Sequence, residues 1–194
     1  MISMESASYK EIVRLMNIIA HKREAYDSHG PQVAMMATRM AIAVGMNDAD
    51  VELVGIAAQL HDIGKLFVRD ELINANRKLS PKEFAEVQTH SVMGWHVVRD
   101  AGYHPIICDV VKHHHERQSG AGYPLGLKGE EISLPARIVG ICDVYEAMTN
   151  DRSYRIAESH EGVKRYMLSR RGKDFDANLV DIFFRIIEPG ELER

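Results

Sequence analysis

The sequence predicts an all-α fold, and three observations support this prediction. Apolar residues recur at helical spacing between positions 33 and 44, and a similar stripe returns at 12–19 and 179–186. No segment convincingly alternates apolar and polar residues with the period of two that marks a strand. Ser80, Pro81 and Glu83 have the spacing of a helix start with a capping box.

Each helical stretch has its own signal. The first main helix is expected to open after Ser28, with Pro31 in its first turn. The stretches 51–60 and 136–148 are apolar on nearly every side, which is typical of helices in the interior. The longest non-helical pieces are expected at 64–80, with room for a short helix, and at 117–132. We therefore expect a helical bundle.

Composition narrows the function classes. The 194 residues, 45% hydrophobic and 27% charged, suit one compact domain. The formal net charge of −4 and the lack of a long Lys/Arg block argue against a duplex nucleic-acid binder. Cys108 and Cys142 form no disulfide framework, and neither a signal peptide nor an apolar run of about 18 residues is seen. A cytoplasmic protein without a membrane span is the expectation.

Polar residues interrupt the apolar helices at two places. His61 and Asp62 follow the stretch 51–60, and Asp143 stands among apolar neighbours. A buried carboxylate needs a cation or hydrogen-bond donors, so Asp143 could pair with an arginine, accept bonds from helix N-termini, or bind metal. The histidine run 113–115 is equally open to two interpretations, a solvated patch or half of a metal site.

The His61-Asp62 doublet favours metal. Adjacent helix positions lie about 100° apart, so the two side chains can point to neighbouring sites. Asp62 has two oxygens and can bridge two cations, whereas His61 serves one. Bridged cations about 3.5–4 Å apart are used in phosphoryl-transfer hydrolysis. Such a doublet is weak alone and far more specific beside His29, His90, the histidine run and Asp143.

These residues stand in ordered motifs that resemble the HD superfamily of metal-dependent phosphohydrolases. More narrowly, the chain resembles the HD-GYP branch, bacterial phosphodiesterases of the second messenger cyclic di-GMP. The motifs are HGPQVA, LHDIGK, HSVMGW, HHERQSGAGYP, DVYEAMTNDRSYR and FD, from about residue 27 to 176. The resemblance implies an HD-domain bundle with extra C-terminal helices over residues 27–194. Residues 1–26 would form an N-terminal helix, a candidate remnant of a signalling helix.

The resemblance also implies two divalent metal ions. The first would be held by His29, His61, Asp62 and Asp143, and the second by Asp62, His90, His114 and His115. Iron, manganese and zinc all suit such mixed ligands. The remaining histidines match no ligand position of the family; His113 is assigned to a solvated or supporting position, and the others are His21, His96, His104 and His160.

In the implied mechanism, a hydroxide that bridges the two metals would attack phosphorus. Asp62 would be the central catalytic ligand. Lys65 would reach a non-bridging phosphate oxygen, and within the HDIGK motif we favour this role over that of a surface lysine. Arg152 and Arg155 would grip the phosphates or guanines, unless they are simply solvated.

The loop that carries the GYP motif is interpreted mainly in structural terms. Gly120 and Gly122 are expected to permit positive φ, and Pro124 to fix the loop exit. Tyr123 could stack on a base, but we favour its pinning the loop to the core. Before the loop, Glu116 and Arg117 are expected to orient the histidines.

The chain departs from the family pattern at three positions. Some relatives bind a third metal through a glutamate four residues before the first histidine, where this chain has Ala25. We therefore expect two metals, and hydrolysis could stop partly at linear pGpG instead of GMP. Ser119 and Glu146 each replace a usual aspartate, and neither change removes a ligand.

The leading hypothesis is a metal-dependent phosphodiesterase that hydrolyses cyclic di-GMP to pGpG, GMP or both. One alternative is an HD hydrolase of another cyclic dinucleotide or nucleotide phosphoester. Another is a non-catalytic module that binds cyclic di-GMP or docks onto a diguanylate cyclase. Family members are usually fused to sensor or receiver domains, so such a partner is possible, as is a homodimer.

Overall fold

The computed structural model describes residues 29–150 and 157–187. Within these ranges the structure contains helices and two isolated β-bridges but no strand. The predicted all-α class is confirmed. The proposed N-terminal helix, with its domain boundary after residue 26, lies outside the described residues and stays a prediction. No helix in the described ranges combines the length and apolarity needed to cross a bilayer.

Eight α-helices and two 3₁₀ turns follow one another in the described ranges. The α-helices are α1 (His29–Ala43), α2 (Asp48–Leu60), α3 (Asp70–Ile73), α4 (Pro81–Asp100), α5 (Pro105–His113), α6 (Leu134–Thr149), α7 (His160–Ser169) and α8 (Ala177–Ile187). The 3₁₀ turns are Ile63–Phe67 and Gly129–Glu131.

The core forms where α1 packs against α2, α6 and α8, and where α5 packs against α2 and α4. Val33, Ala37 and Met40 of α1 are fully buried, as the apolar stripe predicts. The two stretches expected in the interior lie in α2 and α6, and both contribute buried residues to this core. The bundle therefore holds α2 and α6 at its centre, which is where the polar interruptions occur.

Asp176 of the FD motif links two helices. Its Oδ2 accepts a 2.7 Å bond from Nη1 of Arg137 in α6, and its Oδ1 accepts bonds from the first turn of α8. A carboxylate that both pairs with an arginine and caps a helix stabilises the junction of the two elements. The motif is thus part of the scaffold of the described region.

The start of α4 confirms the predicted capping box. Ser80 Oγ accepts from Glu83 N at 3.3 Å, and Glu83 Oε2 accepts from Ser80 N at 2.9 Å. We expect Ser80→Ala to lower the free energy of unfolding by about 1 kcal/mol, because the backbone N–H of Glu83 loses the hydroxyl that accepts its hydrogen bond. Urea denaturation measures the change. The exposed Lys82 in the same turn gives the control, since Lys82→Ala is expected to stay within about 0.5 kcal/mol of the parent.

Candidate metal centre

Seven buried or nearly buried polar side chains converge at the centre of the bundle. They form two groups, in each of which the candidate ligand atoms all lie within 4.8 Å of one another. The first group is His29, His61 and Asp143; the second is Asp62, His90, His114 and His115. The structure therefore brings together, as two adjoining groups, all seven residues that the sequence assigned to metal.

Asp62 lies between the two groups. Its Oδ2 is 3.5 Å from His61 Nε2 and 3.9 Å from His29 Nε2, whereas its Oδ1 is 3.4 Å from His90 Nε2. The two oxygens of one carboxylate thus face different sets of imidazoles. This is the placement that a shared ligand between two cations requires.

Helix termini supply three of these side chains. His29 is the first residue of α1, His61 is the C-cap of α2, and His114 is the C-cap of α5. His90 and Asp143 project from the buried faces of α4 and α6. Ligands from five helices meet only when the bundle is assembled, so formation of the site depends on the tertiary fold.

Backbone carbonyls orient three of the imidazoles in the same way. Nδ1 of His61 donates to Ala58 O at 2.6 Å, and Nδ1 of His90 donates to Val87 O at 2.7 Å. In His114, Nδ1 lies 3.1 Å from the carbonyl oxygen three residues earlier. With the proton held on Nδ1, the Nε2 lone pair is the one that faces the cluster.

Burial favours the neutral form of four of the five imidazoles. Burial lowers the pKa of His61 and, more strongly, those of His114 and His115, and it lowers the pKa of His90 to about 4. Burial alone would raise the pKa of Asp143, but the nearby His29 and His61 outweigh this effect and lower that pKa well below its usual value. Neutral imidazoles and ionised carboxylates are the forms that bind metal cations.

Lys65 lies next to Asp62, beyond the end of α2. α2 ends at Leu60, and Lys65 lies in the 3₁₀ turn that follows. Its Nζ contacts Asp62 Oδ2 directly, and the side chain is only 18% exposed. The ammonium group of Lys65 therefore lies beside the carboxylate that separates the two groups.

Glu116 and Arg117, which precede the GYP loop, bond to backbone groups of the loop and helix end and not to the imidazole rings. Glu116 is buried and accepts from Leu125 N at 2.6 Å and from Leu127 N at 3.0 Å. Arg117 Nη1 donates to the carbonyls of Glu116 and His114 at 3.0 and 3.3 Å. Glu116 and Arg117 were expected to orient the imidazoles, but the hydrogen bonds described here go to the backbone. The Glu116 carboxylate accepts from loop N–H groups, which have no acceptor within a helix.

The two loop glycines have different roles. Gly120 has the expected positive φ, +79°, but the prediction of positive φ at Gly122 is wrong. A Cβ at Gly122 would lie 2.4 Å from Arg117 N and 2.5 Å from His115 O. Only a residue without a side chain permits this approach of the loop to the backbone beside the histidines.

Tyr123 packs against the second group. Its ring centroid is 4.7 Å from that of His115 and 6.2 Å from that of His90, and burial raises the pKa of its hydroxyl. Its backbone N–H donates to His115 O at 3.3 Å, and a cis peptide bond joins it to Pro124. The ring thus lies where it can pin the loop, as favoured from the sequence.

Glu146 is the supporting residue that the sequence analysis missed. Its carboxylate is 3% exposed and contacts His29 Nδ1, while Oε1 accepts from Asn150 Nδ2 at 3.1 Å. A carboxylate that accepts from Nδ1 directs the Nε2 lone pair toward a metal ion and makes the ring a stronger ligand. The available signal was a second acidic residue three positions after Asp143, on the same face of a buried helix.

Glu146→Gln tests this role. We expect it to weaken manganese(II) binding at the first group about tenfold, because the neutral amide supports the imidazole less well than a carboxylate. Isothermal titration calorimetry measures the affinity. Glu52, exposed on α2, provides the matched control, and equal loss of affinity in Glu52→Gln would contradict the assignment.

Several residues named from the sequence are not among the seven residues of the two groups. Arg152 and Arg155, proposed to bind substrate, fall outside the described residues, as does Ala25. His113 belongs to neither group, and its Nδ1 instead lies 2.8 Å from Asp109 Oδ1. The structure also leaves three other histidines outside both groups, His96, His104 and His160.

Comparison with known proteins agrees with this geometry. Residues 14–179 match the family model described as HD domain. Over 176 residues the chain is 35% identical to a cyclic di-GMP phosphodiesterase of Pseudomonas aeruginosa, covering 89% of this chain and 42% of that protein. Over 184 residues it is 26% identical to a 3'3'-cGAMP-specific phosphodiesterase of Vibrio cholerae, covering 94% of this chain and 35% of that protein.

Among solved structures, the fold resembles Bd1817, a HDG"Y"P protein from Bdellovibrio bacteriovorus. The TM-score is 0.70 at 20% identity, over 87% of this chain and 53% of that one. The chain thus spans less than half the length of the two relatives above and about half of this solved chain.

Proposed function

Because this chain belongs to the HD domain family, in its HD-GYP branch, we propose that it is a metal-dependent phosphodiesterase of cyclic di-GMP. The observation that carries the proposal is the position of Asp62, with one oxygen toward each group of imidazoles. A module that had lost catalysis would be expected to have lost ligands, and all seven are present and grouped.

The donor set fits two divalent cations. Five imidazoles and two carboxylates supply mixed nitrogen and oxygen ligands, which suit iron, manganese or zinc. We propose one cation at His29, His61, Asp62 and Asp143, and a second at Asp62, His90, His114 and His115. When bound, such a pair lowers the pKa of water and neutralises charge on phosphate oxygens.

The chain's own residues would orient the substrate. Lys65, at the edge of the cluster, would exchange part of its contact with Asp62 for a non-bridging phosphate oxygen. The ring of Tyr123 would shield His115 from bulk water on the loop side. Backbone carbonyls already hold the rings of His61, His90 and His114, so little rearrangement of these side chains would be needed when the phosphate arrives.

Arg152 and Arg155 are proposed to hold the second phosphate or a guanine. We expect Arg152→Ala to raise KM about tenfold with metal content unchanged, since it removes one charged hydrogen-bond partner from the bound substrate. Steady-state kinetics with parallel elemental analysis measures both quantities. Arg185, exposed on α8, gives the control, and an unchanged KM in Arg152→Ala would exclude this role.

The named relatives cover more than one substrate, so selectivity needs a direct test. The manganese-loaded protein is incubated with cyclic di-GMP, 3'3'-cGAMP and bis(p-nitrophenyl) phosphate, and products are resolved by chromatography. We expect faster turnover of cyclic di-GMP, with pGpG accumulating before GMP. Preference for 3'3'-cGAMP would reassign the substrate, and comparable turnover of all three would indicate an unspecific hydrolase. Tight cyclic di-GMP binding without turnover would indicate a binding module.

A further inference from the structure

His113 is the one member of the histidine run that the metal groups leave unused. It is the last residue of α5, directly before His114 and His115. Its side chain is 13% exposed, and its Nδ1 contacts Asp109 Oδ1 one helical turn earlier, at 2.8 Å. This contact between Asp109 and His113, four residues apart, spans the last turn of α5.

Asp109 extends this contact to a second helix. Its other oxygen, Oδ2, accepts a hydrogen bond from Ser133 Oγ, the N-cap residue of α6. Ser133 Oγ in turn accepts from Ala136 N at 3.2 Å. One carboxylate therefore connects the end of α5 with the start of α6.

A second contact between α5 and α6 lies next to His114, one of the proposed metal ligands. A Cβ added to Gly140 would lie 2.5 Å from His114 O, so α6 rests on the backbone of this ligand. Ser133 and Gly140 are seven residues apart, about 10 Å along α6. Two separated contacts set the angle between the helices, whereas one contact would act as a pivot.

We propose that His113 is a positioning residue: through Asp109 and Ser133 it fixes α5 against α6, and so places His114 and His115 relative to Asp143. This inference rests on the proposed metal centre. Asp143 is carried by α6, and its Oδ2 is 3.9 Å from His115 Nδ1. A change of the helix angle would move His114 and His115 relative to Asp143. It would also move them relative to Asp62 and His90, with which they are proposed to share a cation. Metal affinity would then fall although no ligand is removed.

The test is the affinity of the full chain for manganese(II), measured by isothermal titration calorimetry on protein shown to be folded by circular dichroism. His113→Ala is expected to bind about tenfold more weakly, the size found when groups supporting a metal ligand are removed. His113→Asn places an amide donor near the Nδ1 position and is expected to restore most of the affinity. His113→Gln, which places its amide farther out, is expected to behave like the alanine variant.

His104→Ala is the control for simple destabilisation. His104 Nδ1 accepts from Ile106 N at 3.3 Å and caps the other end of the same helix. We expect this variant to lose stability but to keep manganese affinity within about twofold of the parent, because its cap lies remote from the ligands. Equal weakening in His104→Ala, or unchanged affinity in both His113→Ala and His113→Gln, overturns the positioning role. A parent protein that binds no manganese overturns the proposed metal centre itself.

Discussion

Asp62→Ala is expected to abolish turnover of cyclic di-GMP, with a loss of about a thousandfold or more, and to release bound metal. The carboxylate is 3% exposed and lies within 4 Å of imidazoles from both groups. Its removal takes one ligand from each proposed cation and deletes the oxygen that Lys65 Nζ contacts. A single substitution thus affects both proposed cations.

Initial-rate kinetics and elemental analysis of the same preparation measure this prediction. Asp100→Ala is a suitable control, because Asp100 is exposed at the end of α4 and pairs only with its neighbour Arg99 in the described structure. The control is expected to keep its metal and its rate. An Asp62→Ala variant that turns over cyclic di-GMP normally would contradict the bridging role.

Gly64→Ala is expected to cost at least about 3 kcal/mol of stability and to disrupt the metal centre. A Cβ at this position would lie 1.9 Å from His90 O and 2.5 Å from Gly94 N. Both neighbours are backbone atoms of α4, so no side-chain rotation can relieve the overlap. The 3₁₀ turn would have to move away from α4, separating Asp62 from His90.

Urea denaturation and manganese binding test this substitution together. Gly55→Ala in α2 is the control, because its Cβ would meet only the hydroxyl of Thr38, at 3.0 Å, and helix propensity favours alanine. We expect the control to change stability by about 1 kcal/mol or less. A Gly64→Ala protein as stable as the parent would show that the turn tolerates a side chain and does not fix the two ligands.

Local patterns were sufficient for the helices. The stripe along α1 and the capping box of α4 depend on residues within one or two turns, so the sequence contains all the information they need. The apolar stretch 136–148 likewise falls within α6. For Asp143, local chemistry left an ion pair, helix capping and metal binding open, and the ordered motifs favoured metal.

What could not be predicted depends on contacts between distant segments. Gly122 is required by the approach of its loop to the backbone near His115, not by its own φ. Glu116 turns to loop amides that only the folded loop presents to it. Glu146 reaches His29 across 117 positions of the chain, and no local pattern encodes which histidine it will meet.

The most direct test of the shared carboxylate is a crystal structure of the manganese-loaded protein, with an anomalous difference map. We expect two peaks about 3.5–4 Å apart, each next to a different oxygen of Asp62. One peak should be completed by His29, His61 and Asp143, and the other by His90 and the histidine pair 114–115. A single peak, or two peaks that Asp62 does not join, would contradict a dinuclear centre at this site.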